Sequence, residues 1–351
     1  MSRRTLASLL VACLLLALFS AAVLLPVPYV TMSPGPTVDV LGKRANRTII
    51  EVDGHRTYPT EGELRLTTVE VTRPGRAVGL AETLGAWFDG ARAVYPRDAI
   101  YPPEQSADDV EQQSVVEMAD SQDLAIAAAL TELGYRLPRT VTVSAVTKGS
   151  PADGRLRVED RLQRVNGVAI RSSDQVTAAI QRSGVGQAAA FVVRRGGRTE
   201  QVPVTAEAAA DDADRAVVGV QIKAGFDFPF DVSVRLGRKI SGPSAGLIFS
   251  LGIYDLLTPG SLSGGTDIAG TGTIDEDGNV GSVGGIQQKI VAAREAGAKI
   301  FLVPPGNCRS ALQADVRKDE IQLVKASTMH SAVESLESYA RGEAADLPAC
   351  A

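Results

Sequence analysis

The sequence predicts an α+β/α/β protein: a mixed sheet with covering helices, interrupted by a compact β-rich module and preceded by one apolar helix long enough to span a bilayer. Three observations carry this expectation. Residues 5–38 contain no charged side chain. Near Pro138 the texture changes to short strands around a single amphipathic helix, and it holds through about Ala206. From Val217 onward, strands alternate with helices that are apolar nearly all round. At 351 residues the chain is long enough for two or three such units.

Residues 6–25, "LASLLVACLLLALFSAAVLL", have the length and apolarity that a helix needs to cross a bilayer. Arg3 and Arg4 precede them, so the positive-inside tendency puts the N-terminus in the cytoplasm and the residues after about Val30 outside. A cleaved signal peptide competes, with Ser20-Ala21-Ala22 as small residues at a cleavage site. The apolar run exceeds a usual signal core, which favours an anchor. The net charge of −5, with Lys and Arg scattered, offers no basic field for nucleic acid. Of the three cysteines, Cys13 lies in the anchor, while Cys308 and Cys350 lie in the expected exported part, where a disulfide and two free thiols are both open. No CxxC spacing suggests a metal, and no cofactor is expected.

Residues 48–52 and 64–71 read as strands near the Asp53-Gly54 turn. In "ELRLTTVEV" the apolar alternation slips between Leu66 and Val69, which predicts a bulge. Helices are expected over 78–88 and 107–133, the second capped by Ser106 and stopped by Gly134. Within the module, "TVTVSAV" is a strand, "SDQVTAAIQRS" is a helix opened by Ser173, and a hairpin turns at Gly196-Gly197. The run "GSPADGRLRVEDRLQRVNGVAI" resembles PDZ domains of bacterial exported proteases, with Glu159-Asp160 standing where a Gly-Asp pair is usual. The resemblance implies a peptide groove between the strand 140–146 and the helix 174–181, lined by Thr140, Val141, Thr142, Val143, Val176 and Ile180. The loop 134–138 would receive a C-terminal carboxylate.

In "SGPSAGL", Pro243 suits the first position of a helix over 243–257, and Gly242 lets the chain bend into it. Ser244 then sits in the first turn, beside unpaired N–H groups of Gly242, Pro243 and Ser244 that could hold an oxyanion. A serine needs a base. His55 and His330, the only histidines, look like surface or helix-face positions, and a Ser-His-Asp site using either stays open, since partners can be distant in sequence. In "GGIQQKIVAAREAGAK", Ile286, Ile290, Ala293 and Gly297 share one helical stripe, and Lys289 falls about 60° from its centre. Burial there would lower the pKa of the amine toward neutrality and make it a base. On the wheel alone, a lysine that snorkels outward fits equally well.

"GPSAGL", then "TGTI", then "GGIQQKIVAA" together resemble the protease domain of the Lon family, serine peptidases that use a Ser–Lys dyad. The likeness runs over about 217–303. By motif position it implies Ser244 as nucleophile, Lys289 as general base and Thr271 as the hydroxyl that helps hold the lysine. Ser241 departs from the acidic residue usual before the serine motif, and Thr271-Gly272-Thr273 departs from "TGE". No GxxxxGK[ST] loop is present, so ATP is not expected. The whole resembles bacterial membrane-anchored, PDZ-containing Lon-like proteases. That implies a tip and anchor at 1–27, parts of a protease fold at 28–136 and 208–345, a PDZ insertion at 137–207 and a tail at 346–351. It also implies polypeptide substrates, a membrane partner, an extracytoplasmic site and, as Lon-type domains commonly form, a hexameric ring. A non-catalytic anchored scaffold that binds peptide C-termini is the alternative.

Overall fold

The computed structural model describes residues 3–44, 46–73, 75–101, 107–237, 240–317 and 319–350. They form two compact units: Met1–Gly134 with Phe230–Ala351, and Tyr135–Pro229. In the first unit, α1 spans Arg3–Leu24, and its side chains from Thr5 to Ser20 are exposed. Among the described residues no helix is long and apolar enough to cross a membrane, so the spanning anchor expected over 6–25 is not met there.

The chain continues through β1 (Tyr29–Asp39), β2 (Glu63–Val71), α2 (Leu80–Phe88), β3 (Ala93–Pro96) and α3 (Ala107–Glu132). β1 pairs antiparallel with both β2 and β3. The expected slip exists, but the extra residue belongs to the partner strand: Pro34 and Thr37 of β1 face Val69 and Thr67 of β2. The two prolines of Pro34-Gly35-Pro36 donate no ladder bond, and Gly35 permits a close approach, since a Cβ there would stand 2.4 Å from Thr68 Oγ1. Gly134, with φ 86°, follows α3 as expected. Ser106, the expected cap of α3, lies outside the described residues.

The second unit contains β4 (Arg139–Val146), β5 (Arg161–Val165), α4 (Ser173–Ser183), β6 (Ala188–Arg195), β7 (Arg198–Thr205) and β8 (Val220–Phe226). Its strands run antiparallel in the order β7-β6-β5-β4-β8. Gly196 and Gly197, at φ 53° and 82°, make the two-residue hairpin turn. The cap of α4 is Ser172, one residue before the expected Ser173, and its hydroxyl accepts Gln175 N–H. The departure at Glu159 leaves its mark on the backbone: Glu159 takes φ 72°, a conformation that suits glycine, and its N–H donates to Val143 O at 2.9 Å. Asp160, 1% exposed, is held by Arg195 at 2.6 Å.

This unit corrects two expectations. It runs on to Pro229, past the expected end at 207, because β8 completes its sheet. Moreover β4, expected to offer its edge to a peptide, is an interior strand. Thr142 and Val141 face Arg161 and Leu162 of β5 on one side, while Thr140 to Val143 face Gly225 to Ile222 of β8 on the other. Strand addition needs an open strand edge, and β4 already has a neighbour on each side. The outer edge of the sheet at this end is that of β8. Val176 and Ile180 of α4 lie in the core with Val141, Val143 and Phe191, and Val220 and Ile222 of β8 pack against that core.

The first unit resumes with α5 (Gly246–Leu257), β9 (Asp267–Gly270), β10 (Thr273–Ile274), β11 (Val280–Gly281), α6 (Ile286–Glu295), β12 (Ile300–Val303), β13 (Gln322–Lys325) and α7 (Met329–Ala340). β9 pairs parallel with β2, and β12 and β13 extend the sheet in parallel, giving the mixed order β13-β12-β9-β2-β1-β3. β12 is buried at every residue, as a central parallel strand requires. In α5 only Tyr254 and Leu256 escape burial. Cys308 and Cys350 form a disulfide.

Candidate active site

Ser244 precedes α5 rather than opening it. The helix begins at Gly246, against the expected start at Pro243, and the cause is a contact distant in sequence. In a helix from Pro243, the Ser244 carbonyl would accept the N–H of residue 248. Instead it accepts Thr271 Oγ1–H at 2.8 Å and Gly272 N–H at 2.9 Å, while Leu247 N–H donates to Gly272 O at 3.1 Å. The turn is therefore stitched to the residues just past β9, at the carboxyl end of a parallel strand, where open sheets place their sites. Gly242, at φ 91°, lets the chain enter this turn.

α6 brings the lysine. Its start is pinned at Gly285, φ 67°, where a Cβ would stand 2.7 Å from Met32 Sδ and Val69 Cγ1, so the helix begins against β1 and β2. Ile286, Ile290 and Ala293 then enter a core shared with Ala269, Phe301 and Val303. Lys289 is 2% exposed and points inward; it does not snorkel. Its Nζ donates to Ser244 Oγ at 2.7 Å and to Thr271 Oγ1 at 2.9 Å. Burial, the sole cause, lowers its pKa from 10.5 to about 7. That shift corresponds to about 5 kcal/mol against the charged form. Gln288, expected off the stripe, is also buried at 1%, and its Nε2 meets no partner among the described residues.

The three expected oxyanion donors need correction. Pro243 has no N–H to give. Gly242 N–H donates to Ser114 O at 3.3 Å. Among the described residues, the N–H groups of Ser244 and Ala245 meet no acceptor within the chain, and both adjoin the hydroxyl. The histidines stand apart in role: His330 pairs with Glu132 and Glu334, and His55 stacks on Phe230.

Sequence reasoning gave α3 no part in the site, yet it braces the serine turn. Ser121, 3% exposed, donates its hydroxyl to Pro243 O at 3.0 Å, and Ser114 O takes the Gly242 N–H. The signal was a hydroxyl on a buried stripe, since Met118, Ser121, Ala125 and Ala128 recur at helical spacing. Asn307 was missed as well. Its side chain accepts Val283 N–H and donates to Val283 O, both at 2.9 Å, which fixes the approach to α6.

Residues 238–337 match the Lon protease (S16) C-terminal proteolytic domain, and residues 114–205 match a PDZ domain. A Lon-type proteolytic domain and a PDZ domain are present. Lon protease 2 of Sorangium cellulosum is 36% identical over 95 residues, which are 26% of this chain and 11% of that protein. Lon protease 2 of Bacillus subtilis is 28% identical over 110 residues, 31% of this chain and 19% of that protein. The chain thus spans less than a fifth of the length of these curated relatives. The PDZ domain of an SdrC-like protein from Listeria monocytogenes is 23% identical over 23% of this chain and 85% of that chain, with a TM-score of 0.22. The Lon-type match contains Ser244, Thr271 and Lys289. The PDZ match stops before β8.

Proposed function

We propose that the chain is a serine endopeptidase that cleaves polypeptides without ATP through a Ser244–Lys289 dyad. The carrying observation is the 2.7 Å contact between Ser244 Oγ and the Nζ of a lysine that is 2% exposed. With its amine neutral, Lys289 takes the Ser244 proton as Oγ attacks the scissile carbonyl carbon. The N–H groups of Ser244 and Ala245 donate to the oxyanion. The Lys289 ammonium returns the proton to the leaving amine, and the same lysine then activates the water that releases the acyl group. Thr271 sets the geometry, accepting from Nζ and donating to Ser244 O.

Peptide capture is assigned to the open edge of β8, beside α4, in place of β4. Gln181 of α4 bonds the backbone of Ala216 in both directions, which holds the helix next to the chain entering β8. We also assign the protein to a membrane, with the catalytic unit outside the cytoplasm. The exposed apolar side chains of α1, among them Leu10, Leu16 and Phe19, support attachment. The Cys308–Cys350 disulfide supports an oxidising compartment.

Cleavage of an unstructured peptide, with no nucleotide added, tests the central reading. Ser244→Ala should leave only background, and Lys289→Ala should lose roughly 10²–10⁴-fold. Undiminished cleavage by either variant, with its fold retained, would overturn the dyad.

A further inference from the structure

α2 has a buried face and an exposed apolar one. Thr83 and Ala86 turn inward, at 7% and 0% exposed, as an amphipathic surface helix should place them. On the other side Leu84, Trp87 and Phe88, spaced as one helical face, are 48%, 69% and 85% exposed. Such a cluster of large side chains in water calls for a covering partner.

The structure ties this face to the apolar helix at the N-terminus. Pro26 and Val27 pair antiparallel with Gly79 and Val78, and Leu80 N–H donates to Leu25 O at 3.1 Å, so the residues leaving α1 are zipped to those entering α2. α1 itself exposes Leu6, Leu10, Leu14, Leu15, Leu16 and Phe19 at 53–69%, and Leu25 at its exit is 59% exposed. The two apolar surfaces are thus continuous through a hydrogen-bonded joint. Charge leans the same way: residues 73–98 hold four arginines, one of them paired with Glu82, against Glu82, Asp89 and Asp98, a net positive stretch within a chain whose net charge is −5. Tryptophan beside a membrane-attached apolar helix favours the headgroup zone, and arginines there meet anionic lipids.

We propose that α2 is an interfacial helix, with Leu84, Trp87 and Phe88 seated at the headgroup–acyl boundary of an anionic bilayer and the catalytic unit held at a fixed height above it. This rests on the membrane attachment proposed above. Trp87 is the only tryptophan of the chain, so its fluorescence reports on α2 alone.

The full chain is mixed with phosphatidylcholine vesicles containing a minor share of phosphatidylglycerol, with bromine carried on the acyl chains either near the headgroup or near the bilayer centre. The protein should float with the vesicles, and Trp87 should be quenched more by shallow than by deep bromine. The variant Leu84→Ser/Phe88→Ser should still float and still cleave a soluble peptide, but lose most of the quenching. Flotation with Trp87 unquenched overturns the interfacial helix while leaving attachment through α1 intact. Shortened emission wavelength without quenching overturns it too, by showing that a second copy or another protein segment covers the face. Failure to float overturns both.

Discussion

A buried amine with no carboxylate beside it resists protonation, and at Lys289 this ties stability to the same proton that the proposed chemistry uses. The pKa falls from 10.5 to about 7 on folding, with burial the cause. Between those values the unfolded chain holds a proton that the folded one lacks, so stability rises with pH across the window, by about 5 kcal/mol at most, and is flat below it. Replacing the amine by an apolar side chain of similar length removes that penalty. Lys289→Met should therefore stabilise the catalytic unit by several kcal/mol at pH 6 and by much less at pH 10, as read from denaturant midpoints. An equal gain at both values would contradict an amine that titrates near neutrality. Lys289 was legible because its cause is local: helical spacing alone put it on the edge of the stripe of Ile286, Ile290 and Ala293. Its inward direction does not follow from the wheel, which cannot place Ser244 and Thr271 on that side; it is expected only from the resemblance to the Lon protease domain.

At the scale of elements, Glu159 and the disulfide make opposite predictions. Glu159 keeps a glycine-like turn at φ 72°. A non-glycine residue there costs about 1–2 kcal/mol, and the greater freedom of an unfolded glycine offsets about half of that. Glu159→Gly should thus raise the stability of the second unit by about 0.5–1 kcal/mol, measured by its denaturant midpoint. The Cys308–Cys350 disulfide closes a separation of 42 residues. Cys308→Ser should destabilise the catalytic unit by about 2–4 kcal/mol, since the unfolded chain regains the entropy of that loop, and should leave the second unit unchanged. Both elements were present in the sequence as local signals whose outcome depended on distant partners. The same holds for α5, whose expected start at Pro243 is pre-empted when Thr271 and Gly272 take the Ser244 carbonyl.

For the whole molecule, the boundary between what sequence showed and what it hid follows contact distance. The helices and the Gly196-Gly197 hairpin were readable, because spacing and turn chemistry act within a few residues. Strand order was not: nothing near Thr140 announces that β8, some eighty residues later, will cover its edge. The brace from α3 was hidden for the same reason, although Ser121 marked it. In the structure the side chain of Lys289 meets those of Ser244 and Thr271, three residues far apart in sequence. That meeting is tested most directly by acylating the protein with an activated ester across pH and locating the label by mass spectrometry. The account predicts a label on Ser244 whose rate of formation rises with an inflection near pH 7, and no such labelling in Lys289→Met. A label elsewhere, or an inflection only where an ordinary lysine titrates, would contradict it.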